Sequence, residues 1–123
     1  MNQSDYFENT VGTGVLATAD SNGNVDVAIY ARPHIIDEKT VAFIMNERLS
    51  YQNITSNPKA AYLFLENCPS YKGKRLYLTK IKEETDKDMI NSIRRKSEKH
   101  HEGDLKKHLV YFRVDRTRAL VGE

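Results

Sequence analysis

Apolar and polar residues alternate along much of this chain at a period of two. That period marks strands with distinct faces, whereas helical spacing is confined to short stretches. A short helix is expected over residues 5–10, after which Gly12 and Gly14 break the chain. Residues 14–19, Gly-Val-Leu-Ala-Thr-Ala, read as a first strand. Asp20-Ser21-Asn22-Gly23-Asn24 follows, and its Asn-Gly pair is a strong hairpin signal. Residues 25–32 then alternate. Val25, Val27, Ile29 and Ala31 share one face, expected to meet the core, while Asp26, Ala28, Tyr30 and Arg32 share the other. Pro33 limits further central pairing, and Asp37-Glu38-Lys39 forms a turn. Residues 40–46 make a third strand that is apolar on both faces: Ala42 and Ile44 on one, Val41, Phe43 and Met45 on the other. Both faces are therefore expected to be covered, the second by a partner subunit or a cofactor.

Residues 47–56 read as a short helix with Leu49 and Ile54 as its apolar positions. Asn57-Pro58 ends it, because a residue before proline is biased away from the helical region. Strands are expected over 60–66 and 75–81, separated by a loop that holds Pro69 and Gly73. Thr85-Asp86-Lys87-Asp88 resembles a capping box and opens a helix to about residue 100. Its apolar stripe is only Met89, Ile90 and Ile93, so it is expected on the outside, adding little to the core. Gly103 ends it, a sixth strand covers 109–114, and 117–121 form a short tail. Six strands in hairpins with few helices predict a mainly β (α+β) fold. Closure into a small antiparallel barrel with peripheral helices would remove the exposed edges.

The length of 123 residues fits one domain, 1–123, with a single core. With 39% apolar and 29% charged residues, the composition is that of an ordinary soluble globular chain. No apolar run approaches the ~20 residues of a membrane span, and the polar start shows no secretory signal. Cys68 is the only cysteine, which excludes an internal disulfide and an all-cysteine metal cage; a reducing cytoplasm is the expected location. The net charge of +2 hides an asymmetry. Residues 1–71 carry four Lys/Arg against eight Asp/Glu, whereas 72–118 carry fifteen against eight. The basic part could meet a phosphate or an acidic surface, or simply be a solvated face.

Few stretches carry chemistry. Gly12-Thr13-Gly14 has the letters of a dinucleotide motif, but these glycines precede a strand instead of opening a helix. His34, His100, His101 and His108 show no metal-ligand spacing and read as surface residues, and Cys68 reads as a loop cysteine. The informative stretch is 27–53. A strand shows Ala28, Tyr30 and Arg32; a two-faced strand ends at Met45-Asn46; a polar turn, Glu47-Arg48-Leu49-Ser50, enters a helix. A helix start offers unpaired N–H groups and partial positive charge, so with Arg48 and the Ser50 hydroxyl it is a candidate phosphate site. The adjacent strands would supply an apolar wall for a flat ring. The competing reading is a folding turn with an incidental arginine.

Three segments carry a resemblance: Gly14-Val15-Leu16-Ala17-Thr18-Ala19; Ser21-Asn22-Gly23-Asn24-Val25; and Arg48-Leu49-Ser50-Tyr51-Gln52-Asn53-Ile54 with Asn57-Pro58. In order and spacing, over about residues 12–66, the chain resembles the pyridoxamine 5'-phosphate oxidase-like FMN-binding split-barrel family, especially its short single-domain members. The resemblance implies a split β-barrel homodimer with FMN at the subunit interface, acting as a flavin-dependent oxidoreductase or electron carrier. By position, Ala28, Ile29 and Tyr30 would flank the flavin, and Ile44, Met45 and Asn46 would line it. Arg48, Leu49 and Ser50 would meet the phosphate. Family members usually have a lysine near the position of Leu49 or Ser50, so Arg48 or Arg32 must supply the charge here. No residue is named as an acid or base. A non-enzymatic binder of haem or another flat cofactor on the same barrel is the alternative. A third reading, a nucleic-acid or acidic-partner module, rests on the basic 72–118 segment with Tyr71, Tyr77 and Tyr111 interleaved.

Overall fold

The structure, a computed structural model, describes residues 3–93 and 107–122. In chain order the elements are α1 (Gln3–Asn9), β1 (Gly12–Ala19), β2 (Val25–Ile29), β3 (His34–Asp37), β4 (Thr40–Asn46), α2 (Leu49–Ser56), β5 (Lys59–Glu66), β6 (Gly73–Glu84), α3 (Lys87–Ile93) and β7 (Lys107–Ala119). All seven strands join one antiparallel sheet in the order β2-β1-β5-β6-β7-β4-β3. The sheet curls on itself. Phe43 of β4 and Tyr62 of β5 approach to 5.1 Å between ring centroids, although two strands lie between theirs in the sheet. The interior so enclosed holds Leu16, Val41, Met45, Phe64, Leu76, Leu78, Val110 and Phe112, sealed from α2 by Ile54.

Local signals account for most of these elements. At the β1–β2 turn the Asp20 carboxylate accepts from the backbone N–H groups of Asn22 and Asn24, each at 2.9 Å. Gly23 takes φ +86, the left-handed region that glycine enters without steric cost. Asn57 is extended (φ −142, ψ 113), as a residue before proline must be, and α2 stops there. Asp86 caps α3: its carboxylate accepts from Asp88 N at 2.9 Å.

Four expectations are corrected. The sheet has seven strands, because His34–Asp37 forms an edge strand with a single neighbour, β4, where a preceding proline costs no ladder bond. Gly12 and Gly14 lie within β1 and do not break it. The faces of β2 are reversed. Ala28 pairs with the fully buried Leu16, and Tyr30 packs on Phe43 at 5.9 Å, whereas Val25, Val27 and Ile29 are 82%, 68% and 73% exposed. The second face of β4 is covered by the chain itself: Ile90 of α3 packs on Ala42, Leu109 and Tyr111. The remainder of the helix expected to residue 100, with His100 and His101, lies outside the described residues.

The N-terminal helix also belongs to the core. Phe7 is fully buried and meets the rings of Tyr62 and Phe64 at 6.5 and 5.3 Å. Arg32 donates to the carbonyls of Phe7 at 2.8 Å and of Glu8 and Thr10 at 3.3 Å, closing off the C-terminal end of α1.

Candidate functional site

The chain passes directly from β4 into α2, and this junction abuts the inward face of β2. Arg48 is the N-cap residue of α2, and no side chain caps the first-turn N–H groups. Its backbone N–H donates to Asn46 O at 2.8 Å, which tightens the turn. The Arg48 side chain is exposed and makes no hydrogen bond or ion pair among the described residues. Ser50, one residue into the helix, is buried, with its hydroxyl 3.5 Å from Asp26 Oδ2. Tyr30 completes the group. Burial holds its phenol above the ordinary value of 10.0, and Asp26 adds to that; a Ser50 hydrogen bond and the Arg48 charge pull the other way. Arg48, Ser50, Tyr30 and Asp26 thus share one corner.

The other expected site residues distribute around this corner in different ways. Ala28 is half-buried beside Tyr30 on the inward face of β2, while Ile29 points outward. Met45 is fully buried in the barrel, and Ile44 packs on the opposite side, beside the α3 cluster. Asn46 is half-buried, and its Oδ1 accepts from Lys107 Nζ at 3.2 Å. Leu49 is 54% exposed on the outer side of α2. Arg32 is engaged with α1 as described, which leaves Arg48 as the arginine at the helix start.

Sequence reasoning missed a second group on the other side of the same turn. His108 is not a surface residue: it is 4% exposed, and His34 is buried too. His108 lies opposite Met45 in the β4–β7 ladder. Its Nε2 is 2.8 Å from Glu47 Oε1; since a carboxylate only accepts, the ring nitrogen donates. Its Nδ1 stands 3.2 Å from Glu83 Oε2, within ion-pair distance but outside hydrogen-bond alignment. The imidazole stacks on Tyr51 at 4.1 Å and 17°. Tyr51 in turn donates to Glu83 Oε2 at 2.8 Å, and burial together with that carboxylate raises its phenol pKa. Lys80 Nζ lies 3.6 Å from Glu83. No local spacing announces this group, because its members come from β6, β7, α2 and the turn before it. Asp26 did carry a signal: it is an acid in an otherwise apolar alternation.

Among the described residues no group of three His, Cys, Asp or Glu side chains is arranged to hold a metal ion. No helix among the described residues is long and apolar enough to cross a membrane. Cys68 is exposed, as expected for a loop cysteine. On the basic strands, Arg75 donates to Ala119 O and Gly122 O, Arg113 pairs with Asp115 at 2.7 Å, and Tyr111 is covered by α3.

No family model and no curated protein matches the sequence. Solved structures do match. An FMN-binding protein from Syntrophomonas wolfei subsp. wolfei aligns with a TM-score of 0.81 at 18% identity, over 98% of this chain and 84% of that one. A protein described as an F420 reductase aligns at 0.73 with 16% identity, over 96% and 98%. A pyridoxinephosphate oxidase family protein from Clostridium acetobutylicum, related to general stress protein 26 of B. subtilis, aligns at 0.67 with 12% identity, over 95% and 84%. The shared property is the fold.

Proposed function

We propose, from the split-barrel fold this chain shares with FMN-binding proteins, that it is a flavoprotein. In this reading it binds FMN between two copies of itself and serves as a flavin-dependent oxidoreductase or electron carrier. The observation that carries the reading is the corner where Arg48, the uncapped start of α2, Ser50 and Tyr30 meet. These groups fit a phosphate. The guanidinium supplies charge-assisted donors, the first-turn N–H groups aim outward at the positive end of the helix dipole, and the Ser50 hydroxyl can add a donor. Asp26 is an adverse neighbour. Ser50 has a single proton, which goes to Asp26 or to a phosphate oxygen but not to both. Ala28 and Tyr30 would supply an apolar wall from the β2 side, where Tyr30 packs on Phe43 of β4. Bound FMN would supply the one- and two-electron redox chemistry, and the protein would bind and orient it.

The second copy of the chain has a surface to meet. On the outer face of the sheet Val27 pairs with Ala17, which pairs with Ala61, while Ile29, Val15 and Leu63 form the next row. Val25, Val27 and Ile29 make this an exposed apolar patch of the kind that a second protomer covers.

The test is purification without added flavin, followed by a visible spectrum and a titration with FMN read by fluorescence quenching. A flavin spectrum, or saturable quenching, is expected. A colourless protein that leaves added FMN unquenched refutes the reading. In Arg48→Ala the FMN Kd should rise about tenfold, the low end for a charge-assisted contact because the side chain is exposed.

A further inference from the structure

The two side-chain groups at the β4–α2 junction interleave in sequence. Arg48 and Ser50 sit at the corner toward β2; Glu47 and Tyr51, the residues flanking this pair, are tied to the opposite side by His108 and Glu83. Both groups are thus borne by one stretch of five residues, 47–51. On β7 the turn also meets Lys107, the residue next to His108, which pairs with Asn46 in the ladder and donates from Nζ to its Oδ1 at 3.2 Å. Burial makes the imidazole a fixed post, because its ladder position opposite Met45 and its stack on Tyr51 leave it no alternative placement. Glu47, by contrast, is 45% exposed at its side chain and lies in a turn, where His108 holds it at 2.8 Å.

We propose that His108 is a positioning residue for the phosphate end of the cofactor site: by donating from Nε2 to Glu47 it fixes the 46–50 turn in the arrangement that presents Arg48, Ser50 and the helix N–H groups. The proposal rests on the FMN reading and adds to it a residue that would touch neither flavin nor phosphate. Its chemistry makes the effect specific. A riboflavin molecule uses the ring wall but not the turn, whereas FMN uses both.

The test compares FMN and riboflavin affinities of the full chain by fluorescence quenching. His108→Phe keeps an aromatic ring on Tyr51 but has no donor. Its FMN Kd should rise about tenfold, the loss of one charge-assisted contact, while its riboflavin Kd stays within about twofold. His108→Gln, whose amide N–H can reach Glu47, should recover FMN affinity to within about threefold of the parent chain. Glu47→Ala breaks the same contact from its exposed end without entering the core, and should reproduce the FMN-selective loss even if His108→Phe does not fold. An unchanged FMN Kd in both His108→Phe and Glu47→Ala overturns the inference. So does a parallel loss of FMN and riboflavin binding, which marks general damage. A parent chain that binds neither flavin removes the cofactor reading and this inference together, so the two failures are distinct.

Discussion

Replacing Gly14 by alanine should unsettle the corner that carries Tyr30, and the cost can be worked from contacts. A Cβ at position 14 would stand 1.9 Å from the Tyr62 hydroxyl oxygen, 2.5 Å from Tyr62 Cζ and 2.5 Å from the Tyr30 carbonyl oxygen. Tyr62 cannot swing aside, because its ring is fully buried against Phe7 and Phe43. Its single hydroxyl proton has two acceptors in reach, Ala31 O at 3.1 Å and Tyr30 O at 3.3 Å, and Tyr30 N donates to Gly14 O at 3.0 Å. The chain at 30–31 must therefore back away. Overpacking of this kind costs roughly 1–3 kcal/mol, and a weakened buried hydrogen bond adds about 1 kcal/mol. The lower entropy of an unfolded chain with alanine returns about 0.4–1 kcal/mol. The net is about 2 kcal/mol, read as a lower urea midpoint at unchanged m-value. Tyr62→Phe alone should cost about 1 kcal/mol. In the Tyr62→Phe background the Gly14→Ala penalty should shrink by about 1 kcal/mol, because the nearest clash is with the missing oxygen. A Gly14→Ala chain within about 0.5 kcal/mol of its parent, or an equal penalty in both backgrounds, refutes the reasoning.

The proposed dimer should give twice 14.2 kDa by light scattering at micromolar concentration, and Val27→Lys, which places a charge at the centre of the outer apolar face, should give 14.2 kDa; a dimer persisting in the variant would place the interface elsewhere. Ile90→Ala should cost about 2 kcal/mol in urea, the low end for a buried isoleucine because α3 lies at the edge of the structure; no loss would mean that α3 does not cover β4. The Asp20 carboxylate is held below its ordinary 3.8, chiefly by hydrogen bonds from the Asn24 side chain and backbone. Because its folded pKa is depressed, its contribution is complete above the ordinary value and fades as pH falls through the folded one. Asp20→Asn should therefore flatten the acid limb of a stability-against-pH profile, and an unchanged limb would contradict this.

How much was legible in the sequence depended on how local the signal was. The strand at Thr40–Asn46, the Asn-Gly turn and the stop at Asn57-Pro58 are written in neighbouring residues, and each lies where the pattern put it. The same holds for the junction from Asn46 to Ser50, which is contiguous. Alternation showed that Val25, Val27 and Ile29 share a face but not which face is inside. That is decided by the pairing of Ala28 with Leu16, a relation across a turn. The strand at His34–Asp37 is four residues long and follows a proline, so it carries almost no pattern of its own. In the sequence His108 looks like a surface residue because its partners, Glu47, Tyr51 and Glu83, are distant along the chain and meet only once the sheet curls.

The burial of Phe7 and the grip of Arg32 on the carbonyls around it have a practical corollary. Helix α1 is a stopper, its Phe7 seated on the aromatic rings of the barrel core. Cutting away the first nine residues would leave Tyr62 and Phe64 facing a hollow. Flavin affinity measured on such a shortened chain would describe an uncorked vessel, and a poor result there would say nothing against the proposed site at Arg48.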